Sequence, residues 1–159
     1  MPEGPSIVLL KNAVRQFEGE TVMAVYGNTK IEKERALHKK VVEFKSWGKH
    51  FLICFDDFAI RIHMLMFGTY RINERKETPV RLGFSFESGE LNFYSCSVKL
   101  IEGDAIQAYD FTADVMSDTW NTRSAKIKLG KIPETLICDA LLSQDIFAGV
   151  GNIIKNEVL

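Results

Sequence analysis

Apolar residues recur at helical spacing over residues 4–17. Ile7, Leu10, Val14 and Phe17 form one stripe, and Lys11, Asn12, Arg15 and Gln16 supply the polar side. The spacing predicts a helix, and Pro5 suits its first turn, where the amide hydrogen it lacks would have no partner. From residue 20 to about 102 the texture changes to short β-rich runs divided by turn signals. These runs predict strands at 20–26, 39–46, 50–55, 58–63, 69–73, 80–87 and 90–100. Asp56-Asp57 and Ser88-Gly89 mark hairpin turns, and strands this short and closely spaced build a sandwich or a barrel. A polar connection follows over residues 103–131. The helical pattern then returns, with Pro133 and Glu134 as a first turn before Leu136, Ile137, Ala140 and Leu141. Residues 144–151 interrupt it. A second helix starts at Asn152 and is still running at Leu159 with no terminating signal, so the expectation is a helical segment cut short.

Composition narrows the class without naming a function. The 159 residues suit one ordinary domain, and 46% apolar with 26% charged residues excludes a disordered chain. No run approaches the roughly 18 apolar residues of a membrane span, and no signal pattern opens the chain, so the expected compartment is the cytoplasm. A net charge of −1 does not advertise a polyanionic partner. The distribution is less even, because the first fifty residues carry 9 Lys/Arg against 6 Asp/Glu. Cys54, Cys96 and Cys138 stand about forty residues apart with no CxxC, which predicts reduced, mostly buried thiols and no metal site within this chain.

The opening Met-Pro-Glu-Gly carries candidate chemistry. Removal of Met1 would leave Pro2 with a secondary amine, able to attack an aldehyde-like carbon and form an iminium ion. An α-amino group titrates near neutrality, and the positive end of a helix disfavours its cation further. Glu3, at the same helix end, is placed to give or take a proton. The competing reading is plain helix punctuation, since Pro and Glu are common at helix starts.

Three further segments decide between these readings: Trp47-Gly48-Lys49-His50-Phe51-Leu52, His63-Met64-Leu65-Met66-Phe67-Gly68-Thr69-Tyr70-Arg71, and Phe147-Ala148-Gly149-Val150-Gly151-Asn152-Ile153-Ile154-Lys155-Asn156-Glu157. With Met-Pro-Glu-Gly-Pro at the start, their order and spacing resemble the formamidopyrimidine-DNA glycosylase / endonuclease VIII family of bifunctional base-excision repair enzymes. The resemblance implies that Pro2 is the nucleophile toward C1′ of a damaged nucleotide, Glu3 its proton-transfer partner and Lys49 a catalytic, phosphate-contacting lysine. It implies that Met66, flanked by Leu65 and Phe67, enters the duplex in place of a flipped nucleotide. Gly149, Gly151 and Asn152 would be the phosphate-binding part of a helix–two-turn–helix, with amides at the start of the last helix turned to phosphate.

The implied fold is α+β: an N-terminal helix and a two-sheet antiparallel β-sandwich over residues 1–105, a connection over 106–131, and a truncated helical segment over 132–159. The implied activity is glycosylase and abasic-site lyase, by a Schiff base and β/δ-elimination, on damaged double-stranded DNA and by a monomer associated with the nucleoid. No cofactor is expected in this chain; zinc would enter only with a downstream zinc finger. Within the family, the Pro-Glu-Gly-Pro opening resembles the branch acting on oxidised pyrimidines, whereas Met66 resembles the branch acting on 8-oxoguanine and formamidopyrimidines. Ser6 stands where the family generally has a glutamate. That departure leaves a second reading, a damaged-DNA-binding relative without catalysis; a β-scaffold unrelated to DNA shares only the Met-Pro-Glu start.

Overall fold

The computed structural model describes all residues from Met1 to Leu159. Alternation along the strands builds its centre. In β4 (Phe58–His63), Phe58, Ile60 and Ile62 turn inward while Ala59, Arg61 and His63 turn outward. Phe51 and Ile53 of β3 (His50–Cys54), and Leu91 and Phe93 of β7 (Glu90–Tyr94), do the same. Two antiparallel four-stranded sheets result. One has the order β2 (Glu43–Trp47), β3, β4, β8 (Ser97–Glu102). The other runs β1 (Ala24–Tyr26), β6 (Leu82–Ser85), β7, β5 (Thr69–Ile72). Their inner faces close on a core of 22 buried residues. The first helix, α1 (Gly4–Ala13), adds Ile7 and Leu10 to that core, and Phe17 stacks on Phe86 at 4.6 Å.

The expected α+β sandwich is therefore present, with local corrections. The first helix tightens after Val14 into a 3-10 turn, Arg15–Phe17, which carries Phe17 to complete burial. Only Ala24–Tyr26 of the run 20–26 joins a sheet. Its earlier part pairs with residues 38–41 outside both sheets, through Val22 N–H to Lys39 O and Val41 N–H to Glu20 O, each 2.9 Å, so β2 begins only at Glu43. The run 90–100 is two strands, not one. Ser95 is left-handed at φ 52°, and there the chain leaves β7, paired with β5, to enter β8, paired with β4.

The connection after residue 103 is also more ordered than its polarity predicts. Asp104 and Asp110 each cap a 3-10 turn, accepting from the amides of Ile106 (2.9 Å) and Thr112 (3.0 Å). Asn121 accepts from Ser124 N–H at 3.0 Å and starts a helix, α2 (Thr122–Gly130), that buries little beyond Ala125. With one buried side chain, α2 has almost no apolar period to read. Pro133 and Glu134 lie in a turn, and α3 begins later (Ile137–Leu141). The last helix, α4 (Asn152–Val158), starts where expected. No helix is long and apolar enough to cross a membrane.

Candidate active site

Three glycines bring the sequence-predicted residues together. Gly4 opens α1, Gly48 turns the β2–β3 hairpin, and Gly149 lies in the loop before α4. The Gly4 amide donates to Gly149 O at 2.9 Å. A side chain on Gly149 would stand 3.2 Å from Gly4 Cα and 3.4 Å from Gly48 Cα, and its φ of +99° already disfavours other residues. A methyl on Gly48 would meet Gly149 N at 3.0 Å. Backbone can approach backbone only because Cβ is missing at all three positions. The junction therefore sets Pro2 and Glu3, Lys49, and the 149–152 loop around one point.

Asp114 strengthens this junction and was not anticipated from sequence. It is 2% exposed, accepts from Met116 N–H at 2.9 Å, and faces the Gly48 amide. Burial raises its pKa above the ordinary carboxylate value, partly offset by those amides and by Lys11. Neighbouring backbone ties the same segment to the glycine loop, with Ala148 N–H to Ala113 O at 2.8 Å and Val115 N–H to Ala148 O at 3.1 Å. Gln144 clamps the loop from inside. Its Oε1 accepts from Gly149 N–H at 3.0 Å, and its Nε2 donates to Leu142 O and Val150 O, both 2.9 Å. A lone acid between apolar Ala113 and Val115, and a lone amide before a glycine loop, were the only signals for these two.

Glu3 corrects one expectation. It is 7% exposed, and its carboxylate accepts from Ile153 N–H at 2.8 Å and Ile154 N–H at 3.1 Å. The amides expected to face phosphate are thus taken by an internal carboxylate, attracted by the same positive helix end. Gly151 makes room, since a methyl there would lie 2.6 Å from Glu3 Cδ. Asn152 is exposed, and its Oδ1 accepts from Lys155 Nζ at 3.3 Å.

Pro2 lines a cleft of about 430 Å³ between α1 and β5, together with Ser6, Leu10, Met64, Tyr70 and Arg71. Pro2 follows Met1 in the sequence, and its nitrogen becomes a secondary amine only when Met1 is removed. Along one edge of the cleft the chain turns sharply after β4. Met64 is buried, but Leu65, Met66 and Phe67 are 44%, 68% and 80% exposed. Leu65 has φ +56°, and Gly68 closes the turn through its amide to Met64 O at 2.7 Å. Three consecutive exposed apolar side chains on a tight turn have no role in the core.

Lys49 follows Gly48 in the hairpin turn, half-buried and without a carboxylate partner. Beside it, burial, Arg61 and Lys49 lower the His63 pKa. Burial pushes His50 down to about 4, aided by Arg61, His63 and Lys99. Both imidazoles are held toward their neutral forms. The thiols of Cys54 and Cys96 are buried and raised to about 12 and about 11, while Cys138 is half-buried. No three His, Cys, Asp or Glu side chains converge as metal ligands, so the residues present do not fit a zinc ion.

The family model described as Formamidopyrimidine-DNA glycosylase N-terminal domain matches residues 1–97, and the chain belongs to that family. It is 29% identical over 165 residues to DNA-(apurinic or apyrimidinic site) lyase Nei2 of Mycolicibacterium smegmatis, covering 99% of this chain and 66% of that protein. It is 34% identical over 121 residues to Endonuclease 8-like 3 of Mus musculus, covering 70% of this chain and 20% of that one. The chain thus spans less than two thirds of these relatives. The fold is that of Lactococcus lactis formamidopyrimidine-DNA glycosylase bound to DNA containing an AP site, with TM-score 0.82 at 21% identity over 99% of this chain and 67% of that one. A viral DNA glycosylase superposes with TM-score 0.78 at 17% identity, over 98% of this chain and 68% of that one.

Proposed function

We propose that this chain is the catalytic part of a DNA glycosylase with abasic-site lyase activity, acting on oxidised bases in double-stranded DNA and leaning to oxidised pyrimidines. The observation that carries this reading is that Pro2 lines a cleft edged by the exposed Leu65–Met66–Phe67 turn, with unpaired Lys49 near the glycine junction. A base stacked in a duplex cannot present C1′ to a nucleophile. The nucleotide must leave the stack, and an apolar, unbranched Met66 fills the gap.

After Met1 is removed, the Pro2 nitrogen lone pair forms a bond to C1′. The glycosidic bond breaks, and its electron pair leaves with the base, which takes a proton. Pro2 N then gives up its proton, the C1′–O4′ bond breaks with its electron pair going to O4′, which is protonated, and an iminium forms between Pro2 N and C1′. Loss of a C2′ proton then expels the 3′ phosphate, a further elimination expels the 5′ phosphate, and water hydrolyses the iminium. Lys49 offers a fixed cation to the lesion-flanking phosphate, and Asn152, with the Gly149–Gly151 loop, lies beside the same backbone path. Glu3 holds α4 against α1 and so keeps Pro2 in register, besides being the nearest carboxylate along the chain for proton transfer. The enzyme works as a cytoplasmic, nucleoid-associated monomer.

Borohydride trapping tests this reading. The chain with a free Pro2 amine should give a covalent adduct with abasic duplex, and Pro2→Gly should reduce it at least tenfold. Undiminished trapping with an acetylated or Met-extended N-terminus overturns the nucleophile assignment. Excision from paired duplexes carrying an oxidised pyrimidine or 8-oxoguanine decides the lesion preference. A second reading, a damaged-DNA-binding relative without catalysis, is favoured by Ser6 in place of the family's glutamate. Lesion-selective binding with no trapping and no strand cleavage by the processed chain would establish it.

A further inference from the structure

The outer face of the sheet β2–β3–β4–β8 carries its side chains in rows, one residue from each strand. Nearest Lys49 is the row Trp47, His50, His63, Ser97, and next to it lies Lys45, Leu52, Arg61, Lys99. The third row is Glu43, Cys54, Ala59 and Ile101. In the middle row Arg61 and Lys99 are direct cross-strand partners. Like charges at that separation, about 5 Å between Cβ atoms, are destabilising, and proteins ordinarily answer them with a carboxylate. Lys45 has one, Glu43 at 3.1 Å. Arg61 and Lys99 form no ion pair; Arg61 lies against the neutral Tyr109 hydroxyl, and both cations help to lower the His50 pKa.

The connection covers only part of this face. Trp47 Nε1 donates to Asp110 O at 2.9 Å, and Tyr109 packs on Trp47 and His50, with ring centroids 5.0 and 5.7 Å apart. Leu52, Cys54 and Ala59 pack with Ala105. Lys99 remains exposed and Arg61 half-exposed. With His50 and His63 held toward neutrality, the positive charge of this face comes from Lys49, Arg61 and Lys99.

We infer that Arg61 and Lys99 form a second phosphate-binding step, which carries the DNA backbone onward from Lys49 across the outer face of the sheet. A polyanion supplies the counter-charge this pair lacks, and its long flexible side chains suit phosphate oxygens without demanding a base sequence. One residue spacing on the same strand face, about 7 Å, separates their row from the row beside Lys49. The inference rests on the proposed function, and it adds an interaction surface outside the cleft.

The salt dependence of binding tests it. Binding of the whole chain to an abasic duplex is measured by fluorescence anisotropy between 50 and 200 mM salt, with Arg61→Gln/Lys99→Gln against the parent. Loss of two phosphate contacts should lower the slope of log K against log salt by about 1.8 and weaken binding equally to undamaged duplex. Lys30→Gln, in the loop after β1 of the other sheet, should leave the slope unchanged, and Arg61→Lys combined with Lys99→Gln should lower it by only about half as much. Borohydride trapping by Lys30→Gln should match the parent, while the double variant should need more enzyme to reach the same yield. An unchanged slope in the double variant, while the parent binds and traps, overturns the phosphate step alone. A parent that neither binds nor traps overturns the proposed function as well. Thermal unfolding of each variant confirms that a changed slope is read on folded protein.

Discussion

The Glu3 carboxylate accepts from the Ile153 amide at 2.8 Å, joining residues 150 positions apart in the chain. Its second oxygen takes the next amide, Ile154, at 3.1 Å. A side chain from the start of the first helix thus caps the last helix. The residue beside the proposed nucleophile is therefore also the one that holds α1 to α4.

Removing this cap should loosen both helices. Glu3→Ala leaves two amides without their acceptor and should lower stability by about 1–2 kcal/mol, read by chemical denaturation. Glu3→Gln keeps one acceptor oxygen and should recover about half of that loss. If proton transfer is also its role, Glu3→Gln should still reduce base excision more than it reduces cleavage of a preformed abasic site.

Gly149→Ala should be more damaging than its size suggests. The new methyl would stand 3.2 Å from Gly4 Cα at a φ of +99°, so both strain and crowding act against it. The expected loss is about 1–3 kcal/mol in denaturant unfolding. Abasic-site trapping should fall further than stability does, since the substitution pushes Pro2 away from Lys49. A variant as stable and as reactive as the parent would show that the three-glycine contact does not organise the site.

Met66→Ala should do the reverse. At 68% exposure the side chain contributes little to the fold, and stability should stay within about 0.5 kcal/mol of the parent. Excision of a lesion paired in duplex DNA should drop several-fold. Cleavage of an abasic site in single-stranded DNA, which has no stack to refill, should hardly change. Equal losses on both substrates would remove Met66 from the flipping step.

The pH dependence of stability should carry the mark of His50. An unfolded imidazole titrates near 6.5, whereas burial holds His50 at about 4 in the folded chain. Between those values only the unfolded chain takes up the proton. Stability is therefore complete above pH 6.5 and declines as the pH falls toward 4. Solvent screening at this half-exposed site reduces the effect to about 1 kcal/mol. His63, lowered for the same reason, acts in the same direction. Thermal melts at pH 7 and pH 5 should show the decline, and His50→Phe should flatten it.

Much of this architecture is legible in the sequence. The inward stripe of β4, the hairpin at Asp56-Asp57 and the start of α4 at Asn152 all follow from local period and turn chemistry. Where a local signal was misleading, the cause lay elsewhere in the chain. The run 90–100 reads as one strand because each half alternates well. The left-handed Ser95 between them sends the halves to opposite sheets. Helix α2 buries little beyond Ala125 and so has scarcely any apolar stripe to betray it. Asp114 and Gln144 look like loop polars until their partners, Met116 N–H and Gly149 N–H, are seen beside them.

What the sequence determined by itself was the chemistry on offer. A proline and a glutamate open the chain, a lysine follows a turn glycine, and a glycine loop precedes a helix. Such features depend on residue type and on spacings of a few positions, which local backbone preference enforces. Only the tertiary structure decided how that chemistry is assigned. It gave the amides of α4 to Glu3, packed Gly4, Gly48 and Gly149 together, and set Arg61 opposite Lys99 with no carboxylate between them. Those pairings join residues far apart in sequence. Their register is set by how the two sheets bury their inner faces, and no local period along the chain encodes that.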